Sequence, residues 1–441
     1  MEKTMTLNTQ PYKGARDFYP EDMRVRKYMF GKLREVCERF GYEEYDAPIL
    51  ESMDLYLAKS GEEIVNEQTY AFEDRGGRKV VIRPEMTPTV SRMVAARRQE
   101  LAYPLRWYSI PNLWRYERPQ KGRLREHWQL NVDIFGVAGS EAELEMITIA
   151  SEIFKAFGAR DDMYAIKLNS RKFMDFVLGE YLGMDAVQQL SLAKLIDRIH
   201  KIDRAEFIAQ ADAICTPSQR ENGIVEKLLD VLAAQDFAQL PAAVQGNEAI
   251  QRLQQVLEQL AAVGIGNAAF DVTIMRGFDY YTDIVFEVND TNPDNNRSMF
   301  GGGRYDGLVG LFGVEPVPTV GFGMGDATLL EFLKGHHLLP EPRTETDLYV
   351  VLAGDVLNSA QKPIADLRGM GLNVAVDVSG KKIGNQFKTA DKKGVPYVLV
   401  IGEKELEGQQ FTLKNLKTGQ EEAHGLERIV SIVKDHRRGR E

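Results

Sequence analysis

The stretch Trp107 to Gly136, WYSIPNLWRYERPQKGRLREHWQLNVDIFG, reads as two arms of alternating character about a Pro/Gly-containing turn, Pro119-Gln120-Lys121-Gly122-Arg123. It constrains the fold because residues two apart in a strand share a face, so a polar face and an apolar face must find different surroundings. On the second arm Arg125, His127, Gln129, Asn131 and Asp133 fall together, opposite the apolar Leu124, Trp128, Leu130, Val132 and Ile134, with Glu126 the exception. On the first arm Arg115 and Glu117 share a face opposite Trp114 and Tyr116. One reading is a surface hairpin with solvated charges. The other is a binding site, because cations, carboxylates, an amide and an imidazole on one face can hold a phosphate, an amine and a carboxylate together.

The chain has 441 residues, enough for two or three domains that each bury a core. No run approaches eighteen uninterrupted apolar residues, and the N-terminus lacks the apolar core of a secretory signal. Cys37 and Cys215 lie far apart in helical surroundings, which implies reduced thiols in a cytoplasmic protein rather than a disulfide framework or a zinc site. The six histidines show no metal-ligand spacing. A net charge of −10 argues against coating nucleic acid by charge alone, while leaving room for local basic surfaces.

Along the chain, PYKGARDFYP is an irregular lead-in, and Glu21 to Phe40 carries apolar residues at helical spacing. YEEYDAPILES is strand-like but interrupted by Pro48, which suggests an edge or interface. Lys79 to Arg83 reads as a strand, Thr89 to Glu100 and Ser140 to Phe157 as helices, and Tyr164 to Asn169 as a short strand. Residues 170–263 are rich in Ala, Leu, Gln, Asp and Glu with almost no strand signal, as a helical insertion would be. Strand character returns at Ala269 to Met275 and again within RGFDYYTDIVFEV. The run Gly301-Gly302-Gly303 fits a turn, and PTVGFGMGDATLLEFL fits a buried strand entering a helix with Asp326 as N-cap. Residues 336–346 form a hydrophilic linker. From Asp347, DLYVVLAG, a helix to Met370, LNVAVDV, a helix over Gly384 to Lys393, and PYVLVIG alternate as in a compact α/β domain with a largely parallel sheet.

Several motifs in order carry a family resemblance. The hairpin resembles motif 2 of class II aminoacyl-tRNA synthetases, and Arg276-Gly277-Phe278-Asp279-Tyr280-Tyr281 resembles the R-G-L-D-Y-Y signature of histidyl-tRNA synthetases. Gly302-Gly303-Arg304-Tyr305-Asp306-Gly307 resembles that family's G-G-R-Y-D-G signature, Tyr45-Asp46-Ala47-Pro48 its motif 1 strand, and Lys13-Gly14-Ala15-Arg16-Asp17 its lead-in. The resemblance implies an α+β catalytic domain built on an antiparallel sheet (residues 1–169 and 264–335), a helical insertion domain (170–263) and a C-terminal α/β anticodon-binding-like domain (347–441). It also implies a homodimer through motif 1, and ATP with Mg2+, L-histidine and tRNA(His) as partners, with no tightly bound cofactor and no membrane.

The implied chemistry joins two anions, so fixed cations are needed where charge builds on phosphorus. By resemblance Arg115 meets the α-phosphate and substrate carboxylate, and Arg276 does work often given to a metal. Glu85, Thr87 and Gln129 are implied to hold the α-ammonium, Asp133, Tyr280 and Tyr281 the imidazole, with Arg276 also at the histidine, and Glu117 the adenine edge. Gly301 to Gly303, if not simply a turn, are implied to let the backbone approach the substrate closely. Gln120 would face the acceptor stem, and Lys381, Lys382 and the tail Arg437-Arg438-Gly439-Arg440 would meet tRNA phosphates.

Two positions depart from the class II pattern, in which a motif 2 phenylalanine and a motif 3 arginine sandwich adenine. His127 stands at the first position, and Thr328, within Gly323 to Leu329, at the second. The expectation is an active branch in which His127 stacks on the purine and Arg123 or Arg125 meets the triphosphate. A rival reading is a non-catalytic regulatory subunit of ATP phosphoribosyltransferase. A third is a tRNA-binding module without chemistry.

Overall fold

The computed structural model describes residues 7–57, 68–275, 280–295, 298–341 and 343–438. Arg276 and the rest of 276–279, together with Gly439 and Arg440, lie outside the described residues. The chain divides into two compact units, Met1–Asp17 with Tyr28–Leu339 and Phe18–Lys27 with Pro340–Glu441.

The first unit is organised around a nine-stranded sheet. Its strands are β1 (Glu43–Glu44), β5 (Leu105–Ser109), β6 (Asn112–Trp114), β7 (Glu126–Phe135), β8 (Tyr164–Ser170), β9 (Ala268–Phe270), β10 (Ile284–Asp290), β11 (Ser298–Arg304) and β12 (Thr319–Gly325). The order is β1-β5-β7-β12-β11-β10-β8-β9, with β6 pairing β7. Among the described residues only the end pairs β1–β5 and β8–β9 are parallel, so the implied antiparallel core is present. A smaller sheet pairs β2 (Leu50–Ser52), β4 (Lys79–Ile82) and β3 (Tyr70–Glu73). The break that Pro48 predicts is real, since 45–49 separate β1 from β2.

The opening hairpin is more divided than its sequence suggests. Asp133 of β7 pairs with Trp107 of β5, whereas Trp128 pairs with Asn112 of β6. Ile110 and Pro111 interrupt the first arm, and the Pro111 carbonyl accepts the Gln129 amide at 3.2 Å. Proline has no N–H for a ladder, so the arm divides there while the longer β7 runs on.

The glycine run expected as a turn lies inside β11. A Cβ on Gly302 would fall on the Gly321 carbonyl, and one on Gly303 would lie 2.7 Å from the Ile284 carbonyl. Close strand packing, not a turn, requires these glycines. Asp326 is also not an N-cap. It is the first residue of the helix Asp326–Gly335, with Gly325 in the cap position. The strand expected over Ala269 to Met275 is confined to Ala268–Phe270.

The arginine of the second signature anchors this sheet. Arg304 is 2% exposed and Glu143, on the helix Glu141–Ala156, 1%; they meet through two bonds of 2.6 and 2.7 Å. The Val137 and Gly139 carbonyls take further guanidinium donors at 3.0 and 2.8 Å. From Arg171 to Ala262 the chain is helical, apart from short connections, as its composition implies.

In the second unit, β13 (Leu348–Ala353) pairs in parallel with β14 (Val374–Val376) and β15 (Tyr397–Gly402). Two antiparallel strands, β16 (Phe411–Asn415) and β17 (Glu421–His424), extend the sheet, so it is mixed rather than largely parallel. Apolar residues of β13, β15 and β16 pack against the helices Leu357–Gly369 and Leu426–Arg438.

Removing one half of a buried ion pair strands the other charge in a medium that solvates it poorly. Arg304→Met should therefore destabilise the first unit by about 3–5 kcal/mol, read from denaturant unfolding. Arg304→Met with Glu143→Leu should lose clearly less. Equal losses in the single and double variants would show that the pairing is not what matters.

Candidate active site

The polar face of β7 borders a cavity of about 1690 Å³ whose lining includes His127, Gln129, Asn131 and Asp133. Glu85, Thr87, Arg115, Glu117, Gln120, Arg123, Tyr280 and Tyr281 line the same cavity. Of the expected histidine and ATP residues that the structure describes, Arg125 is the one not in this lining. It precedes β7, and its Nε and Nη1 donate to the Glu117 carbonyl at 3.0 Å and to the Tyr12 hydroxyl at 3.1 Å. Its guanidinium also stands 4.0 Å from the centre of the Tyr116 ring. Arg125 thus holds the base of the hairpin, outside the lining of the cavity.

Facing β7 across the sheet is β12, whose Gly321, Gly323 and Gly325 pair with Asp133, Asn131 and Gln129. A Cβ on Gly321 would fall on Asp133 Oδ1, and one on Gly323 would lie 2.7 Å from Gln129 Nε2. The glycines leave room for the β7 side chains to lie flat across the neighbouring strand. This floor was missed in the sequence reading, although glycine at three successive alternate positions is its visible signal.

At the floor, Asp133 is 4% exposed and accepts a very short hydrogen bond from the Tyr305 hydroxyl. Burial pushes its carboxyl up to about 7, and the Tyr305 bond works against that rise. Tyr280 lies 5.9 Å from Tyr305 and 4.7 Å from Tyr281, ring centre to ring centre. Burial raises the Tyr280 and Tyr305 hydroxyls well above the usual phenol range, so both remain donors. Tyr305 belongs to the segment Gly302-Gly303-Arg304-Tyr305-Asp306-Gly307, whose local pattern does not mark it as a site residue. Its role depends on a tertiary pairing with β7.

Arg115 Nε donates to the Pro84 carbonyl at 2.9 Å, which places its guanidinium beside Glu85 and Thr87. At the other end, Arg123 Nε is 2.7 Å from Glu117 Oε2, an ion-pair contact without hydrogen-bond alignment. His127 lies between. Burial, then the charges of Arg115, Arg16 and Arg123, push its imidazole down to about 3, so it is neutral at physiological pH. Its Nδ1 is buried with no hydrogen-bond partner among the described residues. Thr328 lines the cavity too, its hydroxyl donating to the Gly325 carbonyl at 3.0 Å.

The lead-in closes over this end. The Gly14 carbonyl accepts the Arg125 and Glu126 amides at 2.9 and 3.1 Å. Gly14 has φ +86°, and a Cβ there would lie 2.8 Å from the Arg125 side chain, so glycine is required. Two residues on, Arg16 Nη2 donates to Asp326 Oδ2 at 2.7 Å, while Asp326 Oδ1 accepts the Trp128 amide at 3.0 Å.

The helical segment adds Lys194, Arg198, His200 and Lys201 to the outer wall of the cavity, none of them anticipated. In the second unit Lys381 and Lys382 are exposed at the start of the helix Ile383–Lys392. Arg437, a candidate phosphate contact, pairs with Asp347 at 3.1 Å. Among the described residues no three His, Cys, Asp or Glu side chains gather as a metal would require, and no helix is long and apolar enough to cross a membrane.

Residues 14–329 match the family model of histidyl-tRNA synthetase, and residues 347–436 match that of an anticodon binding domain. The histidine–tRNA ligase of Leptospira biflexa is 42% identical, with 98% of this chain and 99% of that protein covered. The histidine–tRNA ligase of Thermoplasma volcanium is 37% identical, with 97% and 99% covered. The crystal structure of histidyl-tRNA synthetase from Nostoc has the same fold, with a TM-score of 0.80 at 24% identity over 98% of this chain and all of that one.

Asp133 titrates near 7 in the folded protein, against about 3.9 in an unfolded chain. The fold therefore holds a proton that the unfolded chain has released. That contribution to stability is complete below about pH 4 and is lost as the pH rises through about 7. Asp133→Asn, which stays uncharged, should flatten the fall in unfolding temperature between about pH 4 and pH 7. Scanning calorimetry giving the same slope for both proteins would remove Asp133 as the proton's holder.

Proposed function

The chain belongs to the histidyl-tRNA synthetase family, and from that premise we propose that it activates L-histidine with ATP and transfers it to the 3′ end of tRNA(His). The observation that carries this reading is a single cavity with acceptors for an ammonium, a buried carboxylate among tyrosines, and arginines for phosphate.

An oxygen of the histidine carboxylate attacks the α-phosphorus of ATP, and the bond to the β-phosphate oxygen breaks, giving histidyl-adenylate and pyrophosphate. Glu85, Thr87 and Gln129 hold the ammonium of histidine, and Arg115 draws its carboxylate towards the α-phosphate. Asp133, kept in place by Tyr305, accepts one ring N–H of the substrate imidazole, and Tyr280 and Tyr281 flank the ring. A buried site built to hydrogen-bond a polar ring rejects apolar side chains strongly, because its own groups would be left unpaired. Arg276, by resemblance, adds the second cation at the reacting phosphate, where negative charge increases in the transition state. Magnesium enters as part of the nucleotide substrate.

At the nucleotide end this chain is a variant branch. The neutral His127 offers a flat ring to adenine, Glu117 reads the adenine edge, and Arg123 meets the triphosphate, while Thr328 provides no charge. Gln120 at the hairpin tip faces the acceptor end of the tRNA, residues 170–263 hold its acceptor arm, and residues 347–441, with Lys381 and Lys382, bind the anticodon arm. The protein works in the cytoplasm. The regulatory-subunit reading is weaker. Full-length relatives named as ligases and the match to an anticodon binding domain both favour the ligase.

Purified protein should exchange pyrophosphate into ATP only when histidine is present, and should charge tRNA(His). No histidine-dependent exchange would leave a regulatory or tRNA-binding role. Arg276→His should lower the exchange rate constant by about 10²-fold or more while changing the KM for histidine little, as for a group acting in the transition state. Comparable losses in both would count against that role.

We further infer a homodimer through the motif 1 region, supported by Ile49, Leu50 and Phe72, which are 45%, 46% and 47% exposed around the small sheet. Sedimentation should give twice the chain mass of 49.8 kDa; the chain mass itself would overturn the dimer.

A further inference from the structure

The nucleotide end of the cavity has an uncharged residue, Thr328, where a cation was expected, and the fold brings another cation behind it, outside the lining, on the first residue of the helix that carries Thr328. Arg16 arrives from the lead-in, 310 residues away in sequence from Asp326. The lead-in is fixed by the two amides that the Gly14 carbonyl accepts. Arg16 then pairs with Asp326, which is 6% exposed, and the other oxygen of Asp326 binds the backbone of Trp128. This bridge joins three segments. It ends one residue from His127 and two residues from Thr328. The charge of Arg16 is felt at the His127 ring, alongside those of Arg115 and Arg123.

The lead-in could be fastened without a charge, since Gly14 already binds two amides of the hairpin. An ion pair held in a nearly buried place is different. Its orientation is fixed and its charge is weakly screened, the conditions under which a cation acts strongly on a nearby anion. We propose that Arg16 is a positioning residue for ATP: held on Asp326, it supplies beside His127 the fixed positive charge that Thr328 does not carry, and so biases the triphosphate into this end of the cavity. The proposal rests on the ATP-dependent activation described above.

Wild-type protein comes first, because absence of histidine-dependent pyrophosphate exchange would overturn that activity and this role with it. With exchange established, Arg16→Gln should raise the KM for ATP about tenfold, the loss of one charge-assisted contact, and leave the KM for histidine within about twofold. Arg16→Lys should retain most of the ATP affinity. Thr328→Arg added to Arg16→Gln should recover it by restoring a cation to the same end. Asp326→Asn, which keeps an acceptor for the Trp128 amide, should raise the KM for ATP by a smaller factor. An unchanged KM for ATP in Arg16→Gln overturns the proposal. So do parallel rises in both KM values that neither Arg16→Lys nor Thr328→Arg repairs, the pattern of a strap that only holds the lead-in.

Discussion

The site depends on β7 being hydrogen-bonded along both edges. β5 and β6 hold one side, and β12 holds the other from Gln129 to Phe135, so that stretch has a fixed facing, while Glu126 to Trp128 pair with β6 alone. A strand with one free edge could slip by a residue and turn its whole polar row into the core. Held on both sides from Gln129 on and by β6 before it, β7 presents His127, Gln129, Asn131 and Asp133 to the same cavity. The neighbouring glycines complete the arrangement. Larger residues at Gly321 and Gly323 would occupy the space where Asp133 and Gln129 lie. The rigidity of the sheet and the openness of the cavity therefore come from the same pair of strands, one carrying the polar side chains and the other glycines at the positions paired with them.

Buried charge is handled in opposite ways in this unit. Arg304 and Glu143 neutralise each other through a bidentate contact, and carbonyls take up further donors, so that pair belongs to the scaffold. Asp133 has a phenol instead of a cation for its hydrogen-bonding partner, and its proton stays on to about neutral pH. A carboxyl in that condition is poised between donor and acceptor, which suits a partner whose own ring nitrogens can do either. His127 is the reverse case. Surrounding arginines and burial keep it uncharged, so a cation-rich wall still offers a neutral ring.

Much of this is legible in the sequence where the signal is local. The alternation along β7 identifies His127, Gln129 and Asp133 because strand periodicity is a property of neighbours. The same alternation fails at Arg125, which lies just before the strand begins and is drawn to Tyr12 and Tyr116 by contacts that no local pattern encodes. The glycine run at 301–303 looks like a turn because only the approach of β10 and β12 on either side reveals why side chains are excluded. Tyr305 and Arg16 are invisible for a related reason. Each acts through a partner more than a hundred residues away, at Asp133 and Asp326.

The ends of the cavity proposed for the amino acid and for the nucleotide differ in how they are built. The amino-acid end is made by β7, β12 and the residues flanking β11, which are locked by ladder bonds and by the Arg304 anchor. A substitution there must keep a strand register and a close backbone approach. The nucleotide end is assembled from a hairpin tip, the first turn of a helix and a lead-in held by a few contacts. Groups there can be exchanged between segments, since a phosphate responds to the position and sign of a charge more than to the strand that delivers it. The departures proposed at His127 and Thr328 both fall on this second end, where Arg16, arriving from another segment, is proposed to restore a charge.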